Sequence, residues 1–323
     1  MRRITLLAIV LVIIIGGWSA AWVYASGFIR GQVGALADAD GQTEPRLTCG
    51  TLDVGGYPFW FDVTCGDLTA TQGDISVNMP ELKATVLVYD PFHAVFRATG
   101  PVAYSDAFTG SKRQLDWSLL EASAHLVDWR IGRISIVGDQ LKLSDTIGGD
   151  TLLGQARHAE FHLLDIPKQH DAAKHLAALA LYAKADDLSV PDAGISDGKS
   201  TLEADISALP DDVRTYGDGD LVQRWRAAGG KVKLVGFKGQ DGEQDFDVTG
   251  NVGLDAEARP EGQVSIRSKG LVERFGSLLV PQQWQGAILG SPGPDGRYSQ
   301  TINMTNGVAF AGLVPLGTLP PLL

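Results

Sequence analysis

Residues 225–268 read WRAAGGKVKLVGFKGQDGEQDFDVTGNVGLDAEARPEGQVSIRS, and this stretch decides the fold. A short helical pattern, Leu221, Val222 and Trp225, is closed by Gly229 and Gly230, after which the apolar period changes to two. Phe246, Val248, Val252, Leu254 and Ala256 share one parity, while Asp247, Thr249, Asn251 and Asp255 share the other. One apolar and one polar parity is the pattern of antiparallel strands wetted on a single face. Gln240-Asp241-Gly242 and Arg259-Pro260-Glu261-Gly262 carry turn-forming residues and are expected to separate the strands. The unit is a helix followed by a meander.

The same alternation continues in both directions. Towards the C-terminus, a short helix is expected over residues 271–280 and a loop over 281–296, then Tyr298, Ile302 and Met304 alternate with Thr301, Asn303 and Thr305. Asn306-Gly307 is a favoured two-residue hairpin turn. Towards the N-terminus, Leu202, Ala204 and Ile206 predict a strand, and Pro210-Asp211-Asp212 opens a helical excursion. Residues 174–190 are rich in Ala and Leu, as a helix would be, but Leu179, Leu181, Ala183 and Ala185 alternate, and the meander around them favours a strand. Ile134, Ile136, Leu141 and Leu143 frame Gly138-Asp139, which predicts a hairpin turn there. Further strands are expected over residues 75–79, 82–88, 93–103 and 117–126. Phe59, Phe61 and Val63 follow a Gly55-Gly56 turn, which leaves Trp60 on the polar parity as a rim aromatic.

Residues 4–25 run for 22 positions without a charge, close to the roughly 20 that a helix needs to cross a bilayer core. Arg2 and Arg3 precede them, so the positive-inside rule leaves the N-terminus in the cytoplasm and exports the rest. Trp18, Trp22 and Tyr24 gather at the far end, where aromatic rings favour the interface. The competing reading is a cleaved signal peptide, since Val23-Tyr24-Ala25 fits a small-x-small cleavage pattern, although the run exceeds the usual 7 to 15 residues. The expected organisation is an inner-membrane anchor over 1–25, a helical or linker segment over 26–44, and a periplasmic β domain over 45–323. Its fold class is mainly β: a long, curled antiparallel meander, taco-like or half-barrel, with a few short helices.

The net charge is −11, and it becomes −13 for 25 basic against 38 acidic residues once Arg2 and Arg3 are set aside. That sign repels phosphate, and nucleic acid is not an expected partner. Cys49 and Cys65 flank Gly55-Gly56-Tyr57-Pro58, so a hairpin there brings the sulfurs together, and export permits a disulfide.

The motifs that would carry chemistry fall short. His158-Ala159-Glu160-Phe161-His162 is not the zinc-protease pattern, because Glu160 sits one place late. On a strand its two histidines stand about 13 Å apart, too far for one metal. Asp218-Gly219-Asp220 and Asp241-Gly242-Glu243 lack the remaining ligands of a calcium loop and read as turns. Gly290-Ser291-Pro292 is not a nucleophile elbow, and there is no phosphate loop or dinucleotide fingerprint. The expectation is a protein that is not an enzyme and carries no metal or cofactor.

Gly56-Tyr57-Pro58-Phe59, Trp225-Arg226-Ala227-Ala228-Gly229-Gly230, Arg259-Pro260-Glu261-Gly262 and the ending Gly317-Thr318-Leu319-Pro320-Pro321-Leu322, together with the N-terminal anchor, resemble the bacterial envelope family called domain of unknown function 2125. That resemblance implies a Gram-negative envelope setting and carries over no catalytic residue. By architecture alone the meander also resembles, more distantly, the anchored proteins that carry phospholipid across the periplasm in β-grooves. On that basis Val248, Val252, Leu254, Val264 and Ile266 are the expected wall of a groove for phospholipid or another acyl-chain lipid. A scaffold protein with the same face sealed is the alternative, and an enzyme with an unrecognised site the second.

Overall fold

In the computed structural model, which describes residues 2–270 and 292–322, the apolar run is part of one helix, α1 (Arg2–Ala35). At about 1.5 Å per residue its 34 residues extend roughly 51 Å. A single 3₁₀ turn (Leu36–Asp38) ends it. Asp40 then accepts from the backbone N–H groups of Gln42, Thr43 and Glu44 at 2.8, 3.0 and 3.1 Å, folding the linker back towards the sheet. The helix expected over residues 271–280 and the first part of the loop after it lie outside the described residues.

The described residues form eighteen strands, and every strand pair with a resolved register is antiparallel. The chain divides into two compact units, Met1–Ser123 with Gln140–Leu153, and Ala124–Asp139 with Gly154–Leu323. The first holds α1, β1 (Arg46–Thr48), β2 (Thr51–Gly55), β3 (Trp60–Gln72), β4 (Ile75–Leu87), β5 (Asp90–Thr99), β6 (Val102–Asp106) and β7 (Lys112–Asp116). The chain passes between units within β8 (Leu119–Val127) and β9 (Arg130–Asp145) and early in β10 (Thr151–Asp165). The second unit holds the rest of β10, then β11 (Leu176–Val190), β12 (Ile195–Pro210), α2 (Leu221–Ala227), β13 (Lys231–Asp241), β14 (Gln244–Leu254), β15 (Pro260–Lys269), β16 (Tyr298–Thr305), β17 (Val308–Ala311) and β18 (Val314–Thr318).

In the first unit Cys49 and Cys65 form the expected disulfide, with Cα atoms 5.2 Å apart. It crosses from the break between β1 and β2 to β3, the strand that pairs with both. The alternations on either side of Pro80 are one strand, not two. Pro80 lacks an N–H, and it falls where the partner of β4 changes from β5 (Glu81↔Thr99) to β6 (Asn78↔Ala103), so no ladder bond is lost.

Two turn readings are corrected. Gly138-Asp139 lies inside β9, a strand of 16 residues, where Gln140 at φ 53° absorbs the irregularity. The hairpin turn is Asp128-Trp129, at φ 52° and 64°. The loop between β14 and β15 is residues 255–259, held by Asp255, which accepts from the Arg259 N–H at 2.9 Å and from its Nε at 2.8 Å. Pro260 and Gly262 already belong to β15. Residues 174–190 do form a strand, and Asn306-Gly307, both at positive φ (51° and 74°), turns β16 into β17.

Candidate functional site

The register of the second unit sets the five residues expected to line a groove on one face. Val248 stands directly opposite Ile266, Val252 opposite Gly262, Leu254 opposite Pro260, and Val264 opposite Gly250. All five side chains are half-buried. Gly250 leaves room for its neighbours: a Cβ there would lie 2.5 Å from the Gln263 carbonyl and 3.1 Å from a Val264 methyl.

These residues are part of a much larger surface. One row of direct cross-strand partners runs Leu163, Leu181, Ala204, Leu234, Gly250, Val264, Ile302 and Ala311 from β10 to β17. The next runs Phe161, Ala183, Leu202, Phe237, Val248 and Ile266 before Gln300 closes it. A third joins Leu179, Ile206, Val232, Val252 and, past Gly262, Met304. A bulge at Val235-Gly236 moves the apolar parity of β13 from even to odd and so keeps Leu234 and Phe237 on the same face.

Along these rows the fully buried residues are Leu179 and the small Ala204 and Ala311, while Phe237 keeps 38% of its surface exposed against the edge of Phe246, 4.9 Å away. The large side chains form a surface that water still reaches. Sequence reasoning found five of its members and missed Phe161, Leu163, Leu181, Leu202 and Phe237. Their alternation was visible, but assigning them to a common face needs the register and the bulge.

The opposite face is charged. Glu160, Lys184, Thr201, Lys238, Asp247 and Arg267 stand in one cross-strand row. The Lys184 ammonium, 2.7 Å from Asp186, holds that carboxyl below the usual carboxylate range. A shallow cavity of about 580 Å³ opens here over Thr201, Lys238 and Asp247, beside Asp245, on which the Arg297 guanidinium closes with Nη2 at 2.8 Å from Oδ2. Both signs are interleaved across it, as on a solvated sheet face. His158 and His162 both lie on β10 but bond to different acids, Asp139 at 2.7 Å and Glu160 at 3.2 Å. Asp218 and Asp220 both pair with Arg224, and Asp241-Gly242 turns β13 into β14.

The sequence signatures prove to be structural joints. The Trp225 indole donates to the Ser207 carbonyl at 2.8 Å and lies over Gly230. The Arg259 side chain packs over Gly307, whose carbonyl accepts from the Leu319 N–H at 2.7 Å, and the Leu322 N–H reaches the Ala258 carbonyl at 3.0 Å. The C-terminal Leu-Pro-Pro-Leu segment is thereby tied to the turn after β14.

The long apolar helix and the disulfide point to a bacterial envelope or secreted protein. No curated protein and no solved structure matches the chain. The family described as an uncharacterized protein conserved in bacteria, DUF2125, matches residues 22–320, nearly the whole of the folded sheet and the joints that close it, and the chain belongs to that family.

Proposed function

We propose that this protein is held in the bacterial inner membrane by α1 and that its exported sheet captures acyl-chain lipid on the apolar face of β10 to β17. The observation that carries this reading is the continuity of that face. Three rows of apolar side chains cross at least six strands each, and their large members other than Leu179 stay half-exposed. A protein that hid such a surface in a dry core would bury Phe237 and the valines of β14 completely. Asp165 at the β10 edge, opposite Leu179, is bonded to His170 at 2.6 Å, and the rest of the three rows up to Gln300 is apolar, which suits a ligand held through its hydrocarbon.

Burying half of a 16-carbon chain contributes about 6 kcal/mol, at ~0.8 kcal/mol per methylene, before the costs of association. That is enough for capture and small enough for release.

Retention of α1 is supported by its contacts with the folded sheet. Cleavage after Ala25 would remove Trp22, whose ring stacks on Phe61 at 5.4 Å, and would uncover Ser26, which is 2% exposed. The family match also begins at residue 22, inside the apolar run.

The test is photo-crosslinking of the full chain in lipid nanodiscs that contain a phospholipid with a diazirine on its acyl chain. Peptide mapping should find crosslinks on β14 and β15 as well as on α1. Val252→Asp and Leu254→Asp should remove the former and leave the latter. Crosslinks confined to α1 in folded protein would sink the lipid reading and leave an anchored scaffold.

A further inference from the structure

Two hairpin tips of the first unit stand beside α1 at a depth that the helix itself fixes. The Trp18 indole donates to the Pro58 carbonyl at 3.0 Å, and the Ser19 hydroxyl lies 2.7 Å from the Tyr57 hydroxyl. The Trp22 indole donates to the Trp60 carbonyl at 3.3 Å, and its ring meets Tyr57 edge-on at 5.6 Å. Eight residues higher, Arg30 donates to the Val54 carbonyl at 3.0 Å. The tip between β2 and β3 is therefore locked to residues 18–22, with the strand above it tied to the helix at Arg30. The tip between β4 and β5 adjoins the first, because the Val88 N–H donates to the Phe59 carbonyl at 3.0 Å.

The helix register decides where this assembly sits. Residues 4–29 are uncharged, about 39 Å of helix against a bilayer core of about 30 Å, so the span can slide by roughly 9 Å. With the core starting at residue 4 it ends near residue 23, and with the core ending at residue 29 it starts near residue 10. In both limits residues 18 and 22 lie within the apolar layer or at its boundary. The tip bonded to them, and the second tip joined to it through Val88, must then lie at the same depth.

Their composition suits that depth. No charge occurs from residue 54 to 61 or from residue 84 to 89. Phe59 is 59% exposed and Tyr89 76%, with Tyr57, Trp60 and Phe92 exposed beside them. The carboxylates nearest the tips are paired: Asp90, within the second tip, stands 3.6 Å from His93 Nδ1, and Asp62 is engaged by the Thr85 hydroxyl at 2.5 Å, Lys83 at 3.0 Å and the Trp60 indole at 3.2 Å. Aromatic rings with one polar edge are the side chains that settle at a membrane interface.

We propose that the two tips, residues 56–60 and 88–92, are immersed in the periplasmic leaflet beside α1 and dock the first unit onto the bilayer surface. The inference rests on the reading of α1 as an uncleaved anchor. Its occupant is lipid, because the first tip is bonded to the segment of helix that lies among lipid tails and the second tip is bonded to the first.

The test uses the full chain with its disulfide intact and one added thiol at a time, Val12→Cys, Phe59→Cys, Tyr89→Cys or Asp74→Cys, each labelled with an environment-sensitive fluorophore. The protein is placed in vesicles of phosphatidylcholine and phosphatidylglycerol with or without doxyl-labelled lipid. Asp74 follows the far end of β3, about 40 Å from the tip, and serves as the aqueous control. Labels at 59 and 89 should be blue-shifted and lose emission to a shallow doxyl group, the label at 12 should lose it to a deep one, and the label at 74 to neither. An unquenched label at 12 removes the anchor and this proposal together. A quenched label at 12 with water-exposed labels at 59 and 89 overturns the proposal alone. Blue-shifted but unquenched labels at the tips report burial against protein, a second copy of this chain included, and overturn it as well.

Discussion

Single glycines set the tolerance of this sheet. A Cβ on Gly230 would stand 2.2 to 2.5 Å from three atoms of the Trp225 indole, whose N–H holds the Ser207 carbonyl. Gly230→Ala must push the ring away and leave that carbonyl without its donor. The expected cost is about 1–3 kcal/mol, the range for overpacking a well-packed site. Denaturant unfolding should show it, together with a weakened near-ultraviolet dichroism band from the displaced indole. Gly229→Ala is the control: its φ of +75° strains an alanine, but nothing lies within 4 Å, so the indole band should survive. An unchanged unfolding midpoint in Gly230→Ala would show that the indole moves at no cost. The close approach was not legible in the sequence. Trp225 and Gly230 stood out as neighbours in a motif, but only the helix end folding back on β12 and β13 stacks one on the other.

At the level of elements, the disulfide carries a sharper expectation than any strand pair. It closes a separation of 16 residues, and removing that closure from the unfolded ensemble is worth about 3 kcal/mol in the loop-entropy account. Full-length protein should therefore unfold at lower denaturant when reduced, and Cys49→Ser with Cys65→Ser should match the reduced protein. Identical midpoints for oxidised and reduced chains would sink the expectation. The pairing was legible because two cysteines flanking one turn leave a single geometry. Strand identity in β11 was legible for a similar reason, since the alternation of Leu179 to Ala185 persists whatever the helical propensity of Ala and Leu. Turns were read less well. Gly138-Asp139 has ideal turn residues, yet the chain runs straight through them because the ladder of β7 with residues 142–145 extends β9, and Gln140 takes the left-handed conformation instead. The true turn falls on Asp128-Trp129, where a tryptophan at φ 64° gives no compositional signal, and Val213 bonds the Trp129 carbonyl at 2.9 Å from far along the chain. The apolar face was half legible. Alternation assigned each strand its wet and dry parity, whereas continuity across eight strands depended on the Val235-Gly236 bulge, which no local pattern announces.

For the whole molecule, charge and apolar length act in opposite directions at a membrane. The chain carries −11, so an anionic leaflet repels it, and any lasting attachment must be hydrophobic. Among the described residues one helix is long and apolar enough to cross a bilayer, and its C-terminal half is fastened to the first unit through Trp18, Ser19, Trp22 and Arg30. Attachment that rests on this helix should ignore ionic strength, because molar salt shortens the screening length to about 3 Å and weakens charge contacts while leaving apolar burial intact. Membranes from cells that express the full chain should therefore retain it through washes in molar salt and alkaline carbonate. Intact mass measurement of the extracted protein should include residues 4–25, and a chain lacking residues 2–25 but exported through a cleavable leader should appear in the soluble fraction. A mature chain that begins at Ser26 and resists no wash would sink the anchored reading. It would also leave the rings of Tyr57 and Phe61 without Trp22 and the hydroxyl of Ser26 open to water, so the same sample should show the first unit less protected from proteolysis around the tip of β2 and β3 than an uncleaved chain.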